Sequence, residues 1–305
     1  MLKTVLAAAF VAALFAGPAR GQQVIRLPAE GAVPGLLVRH LPGSGAPVLY
    51  VHGATFPSAL SIGWKIDGRS WMDDLHERGF DVWAFDFAGY GGSDRPAALQ
   101  GSAPYGGAEA AAVQIERVAR HVLAVRGAKR LSVIAHSWGT IPAGMFAGAR
   151  PDLVERLVLF GPIAERSAGG GSAPARGTRL VSRDDQWRSF QAGVPPEHGS
   201  PIARAEFDSW VTAYLTTDPT GASRNPASVA VPSGPDADFA QAWSGRFPYD
   251  PAVVRAPTLI VRGAWDPIAG DSDVAWLAGR LTGVPGGARV VTLAGGAHRM
   301  LLEER

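Results

Sequence analysis

The chain has 305 residues, of which 47% are hydrophobic and 18% charged, a balance that predicts a globular protein with a sizeable core. Lys and Arg number 29 against 27 Asp and Glu, and no basic run or basic-aromatic stripe is present, which argues against a nucleic-acid partner. The sequence contains no cysteine, which excludes disulfides, thiol catalysis and cysteine-ligated metal sites.

The first 21 residues have the pattern of a cleaved secretory signal peptide. Lys3 precedes an apolar stretch from Val5 to Phe15, and small residues follow, which predicts cleavage after Ala19 or Gly21. An N-terminal anchor helix is the weaker interpretation, because the apolar segment is shorter than the roughly 20 residues that span a bilayer. We therefore expect a periplasmic or secreted protein without stable membrane insertion.

Strands and helices alternate along most of the remaining chain. The predicted strands are 24–28, 35–42, 46–53, 80–87, 130–136, 154–162, 256–263 and 288–296. The predicted helices are 70–79, 105–126, 138–149 and 272–281. This alternation predicts an α/β fold whose mostly parallel central sheet carries helices on both faces and functional sites at the carboxyl ends of its strands.

Residues 162–252 interrupt the alternation. This segment is rich in Gly, Pro and Ser and contains scattered aromatic residues. Because a structureless loop of this length would be abnormal in a globular domain, we predict an inserted helical cap over the carboxyl edge of the sheet. The predicted organisation is a signal peptide at 1–21, a core formed by 22–161 and 253–305, and a cap at 162–252.

The segment LSVIAHSWGT places Ser137 at the junction between a predicted strand and a predicted helix. Ala135 and Gly139 lie two positions to either side of it. A sharp strand-to-helix turn lifts its central side chain clear of the sheet and requires small neighbours of this kind. Ser137 is therefore the candidate nucleophile.

The pattern AHSWG resembles the nucleophile elbow of the α/β-hydrolase superfamily, with alanine in the first position instead of glycine. The resemblance covers nearly all of the chain after the signal region, because HGATF, DFAGYGGSDRP, GAWDP and GGAH occur in the superfamily's order, each at the end of a predicted strand. It implies the α/β-hydrolase fold and a triad in the chain order serine, acid, histidine.

The same resemblance implies His298 as the base and Asp266 as the acid. His298 lies in the glycine-rich loop after the last predicted strand, and Asp266 ends the penultimate one. Asp271, Asp273 and Glu165 remain alternatives for the acid. The other six histidines are interpreted as packing, surface or loop-bracing residues.

Two backbone N–H groups are expected to form the oxyanion hole. One belongs to Trp138, which follows the nucleophile at a helix N-terminus, and the other to Ala54 in HGATF, with Thr55 as the second choice. The candidates for the substrate pocket are Thr55 and three cap residues, Trp187, Trp210 and Trp243.

These residues predict a serine hydrolase that cleaves carboxylic esters through an acyl-enzyme intermediate, with no metal and no cofactor. The aromatic cap favours a small-molecule ester with a hydrophobic or aromatic part, and monoalkyl phthalates, aryl esters and lactones are all compatible with it. A serine nucleophile argues against dehalogenases and epoxide hydrolases of this fold, which use Asp. The sequence leaves the oligomeric state open.

Two other functions are kept as alternatives. An aminopeptidase resembling the proline iminopeptidases would bind a free amino terminus through cap carboxylates, for which the candidates are Asp184, Asp185, Glu206 and Asp208. The loop HGATF differs from the HGGPG pattern of that family, which disfavours this alternative. The third possibility is a catalytically inactive binding protein on the same fold.

Overall fold

A sheet of eight strands organises the chain in the computed structural model, which describes residues 21–303. The strands of sheet and cap are β1 (Gln23–Leu27), β2 (Leu36–Leu41), β3 (Pro47–Val51), β4 (Asp81–Asp86), β5 (Leu131–His136), β6 (Val154–Phe160), β7 (Thr178–Ser182), β8 (Ser228–Pro232), β9 (Thr258–Gly263) and β10 (Arg289–Leu293). The α-helices are α1 (Trp71–Glu77), α2 (Ala108–Arg126), α3 (Thr140–Ala149), α4 (Arg183–Gln191), α5 (Arg204–Leu215), α6 (Gly234–Ala242) and α7 (Asp271–Arg280). The predicted signal peptide lies outside the described residues except for Gly21.

The eight-stranded sheet has the order β1-β2-β4-β3-β5-β6-β9-β10. The pairs β1–β2 and β2–β4 are antiparallel, and the remaining neighbours are parallel. The prediction of a mostly parallel sheet is therefore confirmed. None of the helices within residues 21–303 is long and apolar enough to cross a membrane.

Helices cover both faces of the sheet. Because alternate residues of a strand point to opposite sides, neighbouring residues of one strand pack against different helices. On one face, Leu49 and Trp83 belong to the large core that also contains residues of α2 and α3. On the other face, Tyr50 and Val82 pack in a smaller cluster with Met72 of α1. The central strands β3 and β4 are buried along their whole length, as expected for strands covered on both sides.

The inserted segment 162–252 contains the helices α4, α5 and α6, together with a two-stranded antiparallel sheet formed by β7 and β8. The two strands were not expected, because they lie far apart in the chain and no turn between them marks a hairpin. The cap therefore combines helices with a small sheet.

Hydrogen bonds join the cap to the core near the carboxyl ends of the central strands. The indole N–H of Trp210 in α5 donates to the carbonyl of Leu60 at 2.9 Å. The indole N–H of Trp138, next to Ser137, donates to the carboxylate of Asp238 in α6 at 2.7 Å. These bonds hold the cap above the end of β5.

Candidate active site

The turn after β5 presents Ser137 in a strained conformation. Ser137 has a φ of 56°, a left-handed value that residues other than glycine seldom adopt. A Cβ atom on Gly139 would lie 2.4 Å from the carbonyl oxygen of His52, and one on Gly53 would lie 3.0 Å from Cβ of Ser137. The sharp turn therefore depends on the missing side chains of two glycines, one after the serine and one in the facing loop.

Three buried side chains form a hydrogen-bonded chain at this turn. Nε2 of His298 lies 2.8 Å from Oγ of Ser137, and Nδ1 lies 2.8 Å from Oδ2 of Asp266. With Asp266 ionised, Nδ1–H donates to the carboxylate, and Nε2 accepts from the serine hydroxyl. The structure thus brings together the serine, histidine and acid that the sequence singled out, in the geometry of a nucleophile, its base and an orienting group.

The second carboxylate oxygen of Asp266 accepts hydrogen bonds from the backbone N–H groups of Ile268, at 2.8 Å, and Ala269, at 3.0 Å. Burial alone would raise the pKa of Asp266. The hydrogen bonds from His298 and from the two backbone N–H groups outweigh burial and hold the pKa below its usual value. The acid is therefore kept as a carboxylate.

The loop that carries His298 is fixed from two sides. Nε2–H of His136 donates to the backbone carbonyl of His298 at 2.9 Å. Burial, together with the nearby His298, lowers the pKa of His136 to about 3, so this second histidine stays neutral. Both carboxylate oxygens of Glu303 lie 3.1 Å from the backbone N–H of Ala297, which closes the loop on its other side.

The HGATF loop faces the nucleophile and is braced by a histidine. His52 donates through Nδ1 to the carbonyl of Gly53 at 2.7 Å and accepts the N–H of Phe87 through Nε2 at 3.0 Å. The hydroxyl of Tyr90 donates to the carbonyl of Ala54 at 2.7 Å, which fixes the next peptide of the loop. Ala54, the first predicted oxyanion residue, therefore lies in a loop whose backbone is fixed by hydrogen bonds from His52 and Tyr90.

Trp138 is the second residue of a short 3₁₀ helix, Ser137–Gly139, and the N–H groups in the first turn of a helix have no partner within it. Its ring is fully buried and packs against Phe87, with ring centroids 5.4 Å apart. The ring therefore belongs to the core, and an oxyanion role of Trp138 would rest on its backbone alone.

A cavity of about 170 Å³ adjoins Ser137 and His298. Ala54 and Thr55 line it from the core, and the cap contributes Arg179, Ser189 and Phe239. Typical small-molecule sites are larger, roughly 300 to 1,000 Å³, so this cavity suits a compact substrate.

The three cap tryptophans that the sequence suggested for the pocket do not line this cavity, which corrects that expectation. Trp210 is fully buried and stacks on Tyr214, with ring centroids 5.4 Å apart. Trp187 packs edge-on against Phe207 at 4.8 Å, and Trp243 lies elsewhere in the cap, near Arg166. Trp187 and Trp210 fill the interface between α4 and α5. Large aromatic rings bury a large apolar area when they lie between two packed helices.

The alternative acids have other partners. Asp271 pairs with Arg262, and Asp273 pairs with Arg166 at 2.8 Å. Glu165 accepts a backbone N–H at 3.0 Å. None of the three contacts His298, so Asp266 is the acid that the structure places beside the base.

Two arginines of the cavity wall, Arg179 and Arg299, were not identified from the sequence. Arg299 directly follows His298, and this adjacency was the available signal. Arg179 lies in β7, a strand that the sequence did not predict.

The chain belongs to the α/β-hydrolase fold family, whose sequence profile matches residues 46–305. It is a hydrolase of this superfamily. Solved structures with the same fold include a thioesterase domain from the curacin biosynthetic pathway, at 18% identity and a TM-score of 0.62, which covers 93% of this chain and 96% of that one. No curated protein matches the sequence.

Two further structures show the range of chemistry on this fold. A thermophilic esterase from Thermogutta terrifontis is 18% identical with a TM-score of 0.57, covering 92% of this chain and 93% of that one. A mutant of potato epoxide hydrolase is 15% identical with a TM-score of 0.63, covering 91% and 94%. At these identities the likeness shows the fold alone.

Proposed function

We propose that the protein is a serine hydrolase that cleaves carboxylic esters through an acyl-enzyme intermediate. The observation that carries this proposal is the pair of 2.8 Å contacts that links Ser137 through His298 to Asp266. Esterases and epoxide hydrolases share the fold, and the residue at the strand-to-helix turn separates them here. A serine whose hydroxyl is hydrogen-bonded to a histidine suits acyl transfer.

In the proposed reaction, Oγ of Ser137 attacks the ester carbonyl carbon while Nε2 of His298 takes the hydroxyl proton. Asp266 stabilises the imidazolium, and the backbone N–H groups of Ala54 and Trp138 stabilise the negative oxygen, each by roughly 3 kcal/mol. The bond to the alcohol breaks, and the alcohol leaves with the proton from His298. A water molecule then attacks the acyl-enzyme by the same route, releasing the acid and restoring Ser137.

The aminopeptidase alternative requires carboxylates that face the bound amino group. Asp185 instead caps α4, and Glu206 accepts the indole N–H of Trp64 at 2.6 Å. The cavity wall holds Arg179 and Arg299, whose charges would repel an ammonium group. These observations favour an ester over an aminopeptidase substrate.

The proposed partner is a small-molecule ester with an apolar part, because Phe56 and Phe239 belong to the cavity wall. A periplasmic or secreted location remains a proposal that rests on the sequence pattern of the first 21 residues.

Ser137→Ala tests the assignment. Loss of the nucleophile should reduce kcat by about 10⁶-fold, because the serine forms the covalent intermediate. A fluorophosphonate probe should label the wild-type protein and fail to label the variant. Ser209→Ala, on the exposed side of α5, is the matched control and should label like the wild type. An unlabelled wild type would favour the inactive binding protein, and a fully active Ser137→Ala protein would remove the nucleophile assignment.

A further inference from the structure

Arg299 occupies an unusual environment beside the proposed nucleophile. Its side chain lines the cavity that contains Ser137, and the residue is only 6% exposed. The hydrogen bonds of its guanidinium go to hydroxyl groups: Ser189 at 2.6 and 3.0 Å, and Thr55 at 3.5 Å. The guanidinium also lies 4.7 Å from the ring centre of Phe56. Within residues 21–303, no carboxylate forms an ion pair with it.

A buried charge without an opposite charge is costly, so the absence of a carboxylate beside Arg299 requires a compensating partner. The other arginine of the wall is balanced, since Nε of Arg179 lies 2.6 Å from Oδ2 of Asp236. Among the described residues that line the cavity, Arg299 is therefore the arginine whose charge has no carboxylate partner.

The buried polar groups near Arg299 do not supply the missing charge. Burial raises the pKa of Tyr214, which keeps its hydroxyl neutral. Gln186, adjacent to Tyr214, carries an uncharged amide and is fully buried. The two buried carboxylates direct their oxygens elsewhere: Asp266 to His298 and to backbone N–H groups, and Glu303 to the backbone N–H of Ala297. A negative charge that balances Arg299 would therefore come from a bound molecule.

We propose that Arg299 binds a carboxylate of the substrate, so that the enzyme acts on compact esters carrying a free acid close to the scissile carbonyl. This proposal rests on the proposed ester hydrolase function. The planar guanidinium matches a carboxylate, and the hydroxyls of Ser189 and Thr55 together with the ring of Phe56 hold it in place. Because the cavity measures about 170 Å³, the acid and the reacting carbonyl are only a few bonds apart, as in a half-ester of a short dicarboxylic acid.

The test compares acid esters with neutral esters of similar size. Monoethyl glutarate against ethyl pentanoate places the acid on the acyl side, and 4-acetoxybutanoate against butyl acetate places it on the alcohol side. The wild type should prefer the acid in one pair by at least about tenfold in kcat/KM. In Arg299→Gln that ratio should fall by about 10- to 100-fold, the size expected for a hydrogen-bonded charge. Arg299→Lys should recover part of it.

Arg183→Gln is the matched control, because this cap arginine also lies over an aromatic ring, Phe207, at 5.5 Å, but outside the cavity. It should leave the acid preference unchanged. Equal kcat/KM for both members of each pair in the wild type would overturn the proposal. An Arg299→Gln protein that loses activity equally on acid and neutral esters, with a lowered Tm, would assign Arg299 a structural role instead.

Calorimetry with glutarate separates this proposal from the proposed function. Glutarate should bind the wild-type protein and bind at least about tenfold more weakly to Arg299→Gln and, to a lesser extent, to Arg299→Lys. If glutarate binding depends on Arg299 but the protein hydrolyses no ester, the anion site is supported and the esterase function is contradicted. If the protein cleaves esters but shows neither a preference for acid esters nor glutarate binding, the esterase function is supported and the anion site is contradicted.

Discussion

At the scale of single residues, the backbone around Ser137 determines whether the site can form. Ser137 has a positive φ, and its hydroxyl lies beside His298. The turn approaches the loop that carries Ala54 so closely that a Cβ on Gly53 would lie 3.0 Å from Cβ of Ser137. The contact is possible because Gly139 brings no side chain toward the carbonyl of His52. Strain at one residue is thus maintained by close packing around it.

Gly139→Ala should therefore damage the site more than the fold. The new Cβ would lie 2.4 Å from the His52 carbonyl oxygen, so the loop that carries Ala54 has to shift. A displacement of about 1 Å near the reacting atoms can reduce kcat/KM by about 100-fold, which steady-state kinetics would measure. Gly279→Ala in α7, where the added carbon meets open space, is the control and should leave kcat/KM unchanged. Wild-type kinetics for Gly139→Ala would contradict the close-packing argument.

Ser137, Asp266 and His298 could be proposed as a triad from the sequence because the residues around each resemble a superfamily motif at the end of a recognisable strand, and the ends of parallel strands meet at one edge of a sheet. Ser137 follows β5, Asp266 follows β9 and His298 follows β10. The proposed role of Arg299 could not be predicted in this way. Its environment depends on Ser189, which a cap helix brings across from a distant part of the chain.

At the scale of elements, helix α6 joins the cap to two parts of the core. Asp238 accepts the indole N–H of Trp138 at 2.7 Å and the backbone N–H of Ala108, the first residue of α2, at 2.9 Å. The residue before Ala108 is Gly107, which has no side chain with which to cap α2. A carboxylate from another element therefore performs the capping that a local residue usually provides.

Asp238→Asn should change how thermal stability depends on pH. Burial raises the pKa of Asp238 to about 6, against the opposing hydrogen bonds from Trp138 and Ala108. Because the folded pKa lies above the unfolded value of about 3.9, the stability contributed by the protonated form is present at low pH and is lost as pH rises toward about 6. The Tm of the variant relative to the wild type should therefore increase from pH 4 to pH 7.

Thermal melts at several pH values measure this difference, since the other titrating groups are common to both proteins. Asp184→Asn, an exposed position on α4, is the control and should show no such trend. Parallel pH curves for Asp238→Asn and the wild type would contradict the role assigned to burial.

At the scale of the whole molecule, the cap has its own aromatic core that continues into the core of the hydrolase domain. Trp210 stacks on Tyr214, packs at right angles to Phe56 and donates to the carbonyl of Leu60. The cap is therefore a packed layer of the fold, anchored directly to the loop region next to the site.

Trp210→Ala should destabilise the protein by about 3–5 kcal/mol and lower its Tm, because a large buried ring is lost. Its effect on kcat/KM should be similar for short and long esters, since Trp210 does not line the cavity. Phe239→Ala is the contrasting variant: Phe239 lines the cavity, so its loss should change the preference among chain lengths by about 1–3 kcal/mol. A change in chain-length preference in Trp210→Ala, without a loss of stability, would indicate that this tryptophan contacts the substrate.

The sequence predicted the core of the molecule more fully than the cap. The core consists of strand–helix repeats with glycine-rich turns, which local patterns reveal. In the cap, β7 and β8 pair although two α-helices separate them in the chain, so no local sequence pattern predicts the pairing. The tryptophans were assigned to the pocket because composition cannot distinguish a ring that faces a ligand from one that faces another helix.

The clasp between Glu303 and Ala297 makes the base dependent on the segment of chain that follows it. The sheet is already complete at Leu293, the last residue of β10, so this clasp contributes to the position of His298 more than to the architecture. Between His298 and Glu303, Leu301 and Leu302 are buried in the large core. The position of His298 is thereby tied to the packing of the last described residues, so a change that loosens that packing would also displace the proposed base.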